Sequence, residues 1–256
     1  MITVETIRDR HSVREYDGKP LSRAEFDALG AVVEEFARES GLGIQLVGDN
    51  PEVFNVIARF GLIRGCRTHV AFVVDDAKAG DVAVDEAIGY WGQKIVLAAQ
   101  DMGLNTCWCA LCSRKKSRAV VAPGKKIRLI IAVGHGKTQG FSRKTKSVEA
   151  LSSVECAKEP VWFAEAMEAA QLAPTAMNNQ NFQITLLSDG KTVRIDARQS
   201  GLNVIDEGIV RCNFEIAANE AGADWRWERD MVPIHWDTET AGGPSGQAGV
   251  ESGGLN

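Results

Sequence analysis

Arg10-His11-Ser12-Val13-Arg14 places two guanidinium groups, an imidazole and a hydroxyl within five residues. A phosphate dianion needs charge-assisted donors of this kind. The segment falls between an N-terminal helix and the next one, where backbone N–H groups near a helix start can add to them. Taken alone, the segment also fits a solvated basic turn. His11 is a weak candidate for a general acid, and no catalytic side chain is assigned. Cys107-Trp108-Cys109-Ala110-Leu111-Cys112 has the look of a metal or cluster site with Cys66 as fourth ligand, or of a dithiol pair. Strand alternation sends Cys107 and Cys109 to one face, yet no second cysteine pair or histidine lies nearby. A small apolar lining is the better reading, with no metal assigned. Gly134-His135-Gly136-Lys137-Thr138-Gln139-Gly140 suggests a dinucleotide loop, but it has one residue too many before the last glycine, and Ser142-Arg143-Lys144 follows instead of an apolar helix start.

The chain has 256 residues, 45% apolar and 25% charged, enough to bury one large core or two small ones. That excludes a disordered chain and a minimal disulfide scaffold. The net charge of −5 argues against a generic nucleic-acid binder, yet the basic residues cluster. From Arg114 to Val148 stand eleven Lys or Arg and no Asp or Glu, leaving 18 basic against 34 acidic residues elsewhere, a balance of −16. Nucleic acid fits this island poorly, because Phe141 is its only aromatic and half its charges flank a strand candidate. A solvated face plus a phosphate pocket accounts for it better. No window reaches the roughly 18 uninterrupted apolar residues of a membrane span. The start lacks the cationic-then-apolar order of a signal peptide, so a cytoplasmic protein with six reduced cysteines is expected. Residues 237–256 hold six glycines and almost no large apolar side chain, which predicts a flexible tail.

The elements that must position these residues follow from periodicity. A capping-box pattern at Ser22 and Glu25 opens a helix carrying Phe26, Leu29, Val33 and Phe36, stopped by Gly41 or Gly43. Strands are expected over 44–47, 68–74 and 126–133, a hairpin over 182–198 turning at Asp189-Gly190, and a short last strand carrying Trp225 and Trp227. Helices are expected over 85–102, 160–172 and 202–221. Gly89…Ala98-Ala99…Gly103…Trp108 aligns at an offset of 119 with Gly208…Ala217-Ala218…Gly222…Trp227. Ile44…Asp49 aligns with Ile184…Asp189 at an offset of 140. Two matches in one order favour a degenerate duplication with a shorter second copy.

Four stretches resemble signatures of the nitroreductase family of FMN flavoproteins. Arg10 to Ser22 is similar to its opening Arg-x-Ser-x-Arg segment before a Pro-Leu-Ser helix start. Ala173-Pro174-Thr175-Ala176-Met177-Asn178-Asn179-Gln180-Asn181-Phe182 resembles its Ala-Pro-Ser-x-x-Asn-x-Gln-Pro-Trp stretch, and Gly103 to Trp108 its central Gly-Leu-Gly-x-x-Trp element. Arg143-Lys144 before Ser147-Val148-Glu149 resembles the basic pair preceding the closing helix. The resemblance covers most of residues 5–227, in the single-chain, internally duplicated form of the family. It implies an α+β fold with a mixed sheet and long central helices, a pseudo-dimer of two unequal halves, 1–150 on the phosphate side and 151–236 on the flavin-ring side.

By resemblance, Arg10, Ser12, Arg14 and Arg143 hold the FMN phosphate, with His11 and Lys144 as weaker candidates. Pro174, Thr175, Ala176 and Asn178 border the ring and ribityl chain, and Trp108, Cys109 and Ala110 approach the ring from the central element through backbone groups. The implied activity passes electrons from NADH or NADPH through FMN to an electron-poor small molecule, a nitroaromatic, quinone or enone. No nucleic acid or membrane partner is implied, and the chain is expected as a monomer or weak homo-oligomer. The rival expectation is a non-catalytic flavin-binding or interaction protein on the same fold. The usual order of the two signatures, some twenty residues apart, is broken here, where they lie about 160 residues apart. Phe36 to Gly43 stands where the first copy should carry the Pro-Ser block, and Val154 to Pro160 where the second should carry the Arg-x-Ser-x-Arg block. Each copy lacks what the other retains, so one complete site and one lost twin are expected.

Overall fold

Thr3 and Ser22 open the first two helices, α1 (Val4–Asp9) and α2 (Arg23–Ser40), each through a reciprocal capping box with the residue three positions on. Gly41 ends α2 in the left-handed region at φ 66°. In this computed structural model residues 2–54, 63–197 and 202–232 are described. β1 (Gly43–Val47) follows and pairs antiparallel with β2 (Thr68–Asp75), Ile44 opposite Phe72. β2 is buried over nearly its whole length, as a β-branched and apolar run requires. α3 (Val82–Asp101) begins three residues before the expected Asp85, because the Asp81 side chain accepts from the Val84 N–H and so starts the helix earlier. β3 (Asn105–Cys109) and β4 (Lys125–Gly134) complete an antiparallel sheet of order β1-β2-β4-β3.

The helix after Ser147 is a single turn, α4 (Val148–Leu151), which runs straight into β5 (Ser152–Val154). α5 (Val161–Gln171) leads to the expected hairpin of β6 (Phe182–Leu186) and β7 (Thr192–Ala197), whose turn is tied by the Asp189 carboxylate accepting from the N–H groups of Lys191 and Thr192. α6 (Asn203–Glu220) and β8 (Arg226–Trp227) follow, with Trp225 just ahead of the strand. The second sheet, β5-β6-β7-β8, is mixed, with β6 and β7 antiparallel and both outer pairs parallel. The α+β expectation holds, with two four-stranded sheets in place of a single mixed one. The tail at 237–256 and the end of the expected hairpin at Arg198 lie outside the described residues.

α3 and α6 cross in backbone contact. A Cβ on Gly89 would sit 2.0 Å from the Ile205 carbonyl oxygen, and one on Gly208 would sit 2.0 Å from that of Glu86. Only glycine permits this approach. These are the two glycines that align at the offset of 119. Across the crossing Gln93 Nε2 donates to Asn213 Oδ1 at 2.9 Å, and Asn213 Nδ2 donates to the Ala169 carbonyl at 3.0 Å, so these buried amides are partnered. Beside it Glu86 of α3 and Glu207 of α6, each 1% exposed, enclose Arg211, whose Nε is 2.8 Å from Glu86. Arg229 closes the group at 2.8–3.1 Å from both carboxylates.

The basic island does not form one surface. Arg128 pairs with Asp85 at 2.7 Å, Lys125 with Asp75 at 3.6 Å, Lys126 with Asp76 at 3.7 Å and Arg118 with Glu52 at 3.8 Å. Acidic residues remote in sequence pair with these four of its eleven cations, so Lys125 and Lys126 have partners that local charge counting did not reveal.

Candidate functional site

Three segments from distant parts of the chain line a solvent-open cleft with a cavity volume of about 150 Å³. The first leaves α1 at Arg10, whose extended backbone turns the chain alongside β3. There Ser12 bridges Thr106, and the Val13 N–H donates to the Thr106 carbonyl at 3.0 Å. Val13 is buried, while Arg10, His11, Ser12 and Arg14 line the cleft. The second segment is the loop after β4, contributing Phe141, Ser142, Arg143 and Thr145. The third follows α5 and contributes Pro174, Thr175, Met177 and Asn178. Eight of the thirteen expected site residues therefore meet in one cleft.

The electrostatics of this cleft are one-sided. Its described lining includes Arg8, Arg10, Arg14 and Arg143 and neither Asp nor Glu. Arg8 is drawn outward toward Glu5 and Glu168. Arg10 is 8% exposed; its Nη2 donates to the Leu172 carbonyl at 3.2 Å, and its buried Nε has no hydrogen-bond partner among the described residues. Burial pulls the Arg10 guanidinium down to about 10, with the nearby Cys107 acting the other way. Cys107 lies under the group, and burial pushes its thiol up, opposed by Arg14, Arg10, Arg143 and a hydrogen bond with Ser12. His11 ties two walls together, with Nδ1 3.0 Å from the Asp9 carbonyl and Nε2 3.2 Å from Ser142 Oγ.

The third wall is unusual in its backbone. Met177, Asn178 and Gln180 have φ of 53°, 57° and 46°, left-handed values that are costly for residues with side chains. The Ala176 N–H reaches both carboxylate oxygens of Asp206 at 2.9 and 3.0 Å. Asn178 Nδ2 donates to the Lys144 carbonyl at 2.8 Å. Gln180, 2% exposed, accepts from the Lys146 N–H at 2.7 Å and donates to the Gln171 carbonyl at 2.9 Å. The segment bearing Arg143 and the segment bearing Asn178 are thus fastened to each other.

The remaining expected site residues do not line the cleft. The Trp108 indole turns into the core, stacked against Phe72 with its Nε1 3.4 Å from Gln93. Cys109 is buried on the opposite face of β3, and the Ala110 carbonyl accepts from Arg114. Lys144 and Ala176 contribute backbone behind the wall. Sequence reasoning missed Phe141, Met177, Gln171, Gln180 and Asp206. For Asp206 the available signal was a carboxylate in the first turn of an otherwise deeply buried helix. Among the described residues no group of three or more His, Cys, Asp or Glu side chains is placed to hold a metal ion. Nor is any described helix long and apolar enough to cross a membrane.

A chain described as a putative nitroreductase from Thermotoga maritima superposes with a TM-score of 0.60 at 20% identity, covering 86% of this chain and 85% of that one. This likeness defines the class, a nitroreductase fold. The family model described as "Putative TM nitroreductase" matches residues 2–218, and the chain belongs to that family of oxidoreductases. Shorter chains align over part of it. A putative NADH dehydrogenase/NAD(P)H nitroreductase from Parabacteroides distasonis covers 58% of this chain and 95% of its own at 22% identity and a TM-score of 0.45. A putative nitroreductase in complex with FMN from Desulfovibrio desulfuricans covers 61% and 96% at 21% identity and a TM-score of 0.45. No curated protein matches the chain.

Proposed function

We propose that the chain is an FMN-dependent oxidoreductase of nitroreductase type, with the phosphate of FMN held by Arg10, Arg14 and Arg143. The observation that carries this reading is Arg10, a buried guanidinium with an unpartnered Nε in a cleft whose described lining offers no carboxylate. A buried cation is costly unless an anion pairs with it, and a bound phosphate dianion supplies that anion. Ser12, His11 and Ser142 add polar groups at the same end. Pro174, Thr175 and Asn178 give the opposite wall a less charged surface suited to the ring and ribityl chain. When bound, FMN supplies hydride acceptance from NADH or NADPH and delivery to an electron-poor acceptor, a nitroaromatic, quinone or enone. The chain's own residues bind and orient the cofactor, and no side chain is assigned as proton donor.

The same reading divides the chain into halves 1–150 and 151–236, with one FMN per chain. At the offset of 140 the counterpart of Ala176 is Phe36. Phe36 packs on Trp91 with ring centroids 5.6 Å apart, and Lys94 Nζ lies over both rings. A packed aromatic cluster stands where the twin site belongs, and the internal pairing makes a monomer sufficient. Purified protein tests the reading. The expected result is a yellow FMN spectrum at one flavin per chain, bleached by NADH or NADPH. A flavin that stays oxidised with both donors supports a binding protein instead, and a colourless protein that takes up no FMN overturns the proposal.

A further inference from the structure

We propose that Asp206 is a positioning residue for the cleft, holding its third wall in the left-handed shape seen at Met177, Asn178 and Gln180. The proposal rests on the flavin-site reading only for its functional consequence. Left-handed backbone at a residue with a side chain persists only where the surroundings over-determine it. Asp206 sits one turn into α6 and is 8% exposed. Its carboxylate does not cap its own helix. Both oxygens instead converge on the Ala176 N–H, just before the first left-handed residue. A buried carboxylate spent on one backbone amide of another segment fixes that segment's path.

The internal alignment adds an independent observation. At the offset of 119 the counterpart of Asp206 is Ala87, and at the offset of 140 the stretch aligned with residues 176–183 is Phe36 to Gly43, which continues α2 to its end and carries no such loop. The carboxylate is present where the left-handed wall is present and missing where it is missing. At its far end the same wall is fastened by Gln180, which bridges Lys146 and Gln171, so the loop is held at both margins.

Hydrogen exchange on the full, ligand-free chain tests this with wild type, Asp206→Ala and Asp206→Asn, followed by FMN titration of each. Asparagine keeps one acceptor oxygen for the Ala176 N–H. The expected result is exchange about tenfold faster or more at 175–180 in Asp206→Ala, with α3 and α6 still protected and most of the protection restored in Asp206→Asn. FMN affinity is expected to fall about tenfold or more in Asp206→Ala and to recover in Asp206→Asn. Unchanged exchange at 175–180 in Asp206→Ala overturns the proposal. So does loss of protection throughout α6 in both variants, which makes Asp206 a support of its own helix. If wild type takes up no FMN, the flavin reading falls, while the exchange data still decide the role of Asp206.

Discussion

Two regions of this molecule bury arginine and treat it in opposite ways. Beside the α3–α6 crossing, Arg211 and Arg229 face Glu86 and Glu207, giving two cations for two carboxylates within 2.8–3.6 Å. Burial lowers Arg211 and Arg229 lowers it further, while Glu86 and Glu207 pull it back up. In the cleft, Arg10 is also buried, and the described lining holds three further arginines and no acid. The first cluster carries its counter-charges within the chain. The second has no acidic partner in its described lining, and on that the proposed phosphate site rests. Arginine burial by itself therefore says nothing about function, and the carboxylate count around it separates a structural cluster from a binding site.

The comparison can be broken most decisively at Arg211. Arg211→Ala takes one of the two cations away from the buried Glu86 and Glu207 carboxylates, and chemical denaturation should show a loss of about 3–5 kcal/mol. Arg10→Ala should lose little or no stability without ligand, because it removes an unpaired buried charge. Its FMN affinity should fall by about 1.5–3 kcal/mol, read by flavin fluorescence. Comparable destabilisation of both ligand-free variants would show that the two regions do the same work.

A pH series sharpens the picture around the cleft. Burial pushes the Asp206 carboxyl up to about 7 from 3.8, with the Ala176 N–H pulling it down. Between these values the unfolded chain is ionised and the folded one protonated. Stability from this group is therefore greatest at the acid end and declines as pH rises from about 4 to about 7. Asp206→Asn should flatten that component of the denaturation profile. The smallest effect is expected at Arg143, which is exposed, where Arg143→Ala should weaken FMN by about 0.2–1 kcal/mol.

What was legible in the sequence was whatever a short window encodes. Ser22 with Glu25, the stripe along α2 and Gly41 specify that helix completely, and Asp189-Gly190 specifies the hairpin. The two margins of the cleft were legible through motifs at Arg10–Arg14 and Pro174–Asn178. What fastens the second of those margins was not. Asp206 lies 30 residues from Ala176, and Gln180 lies 34 residues from Lys146. Such pairs are chosen by three-dimensional packing and leave no periodic trace. Trp108 sits at a motif position that the resemblance brings to the flavin ring through backbone groups, and Gly92 leaves room for its indole inside the core.

The Gly89–Gly208 crossing also governs how the molecule comes together. It closes a loop of 119 residues, which carries roughly 4 kcal/mol of chain entropy by the logarithmic length rule, a cost independent of protein concentration. Were the two helices on separate chains, their meeting would depend on diffusion and would be reversed by dilution. Tethered as they are, the core assembles by an intramolecular event that follows synthesis of α6. Contacts at this sequence separation are slow to form, so refolding is expected to be limited by this encounter.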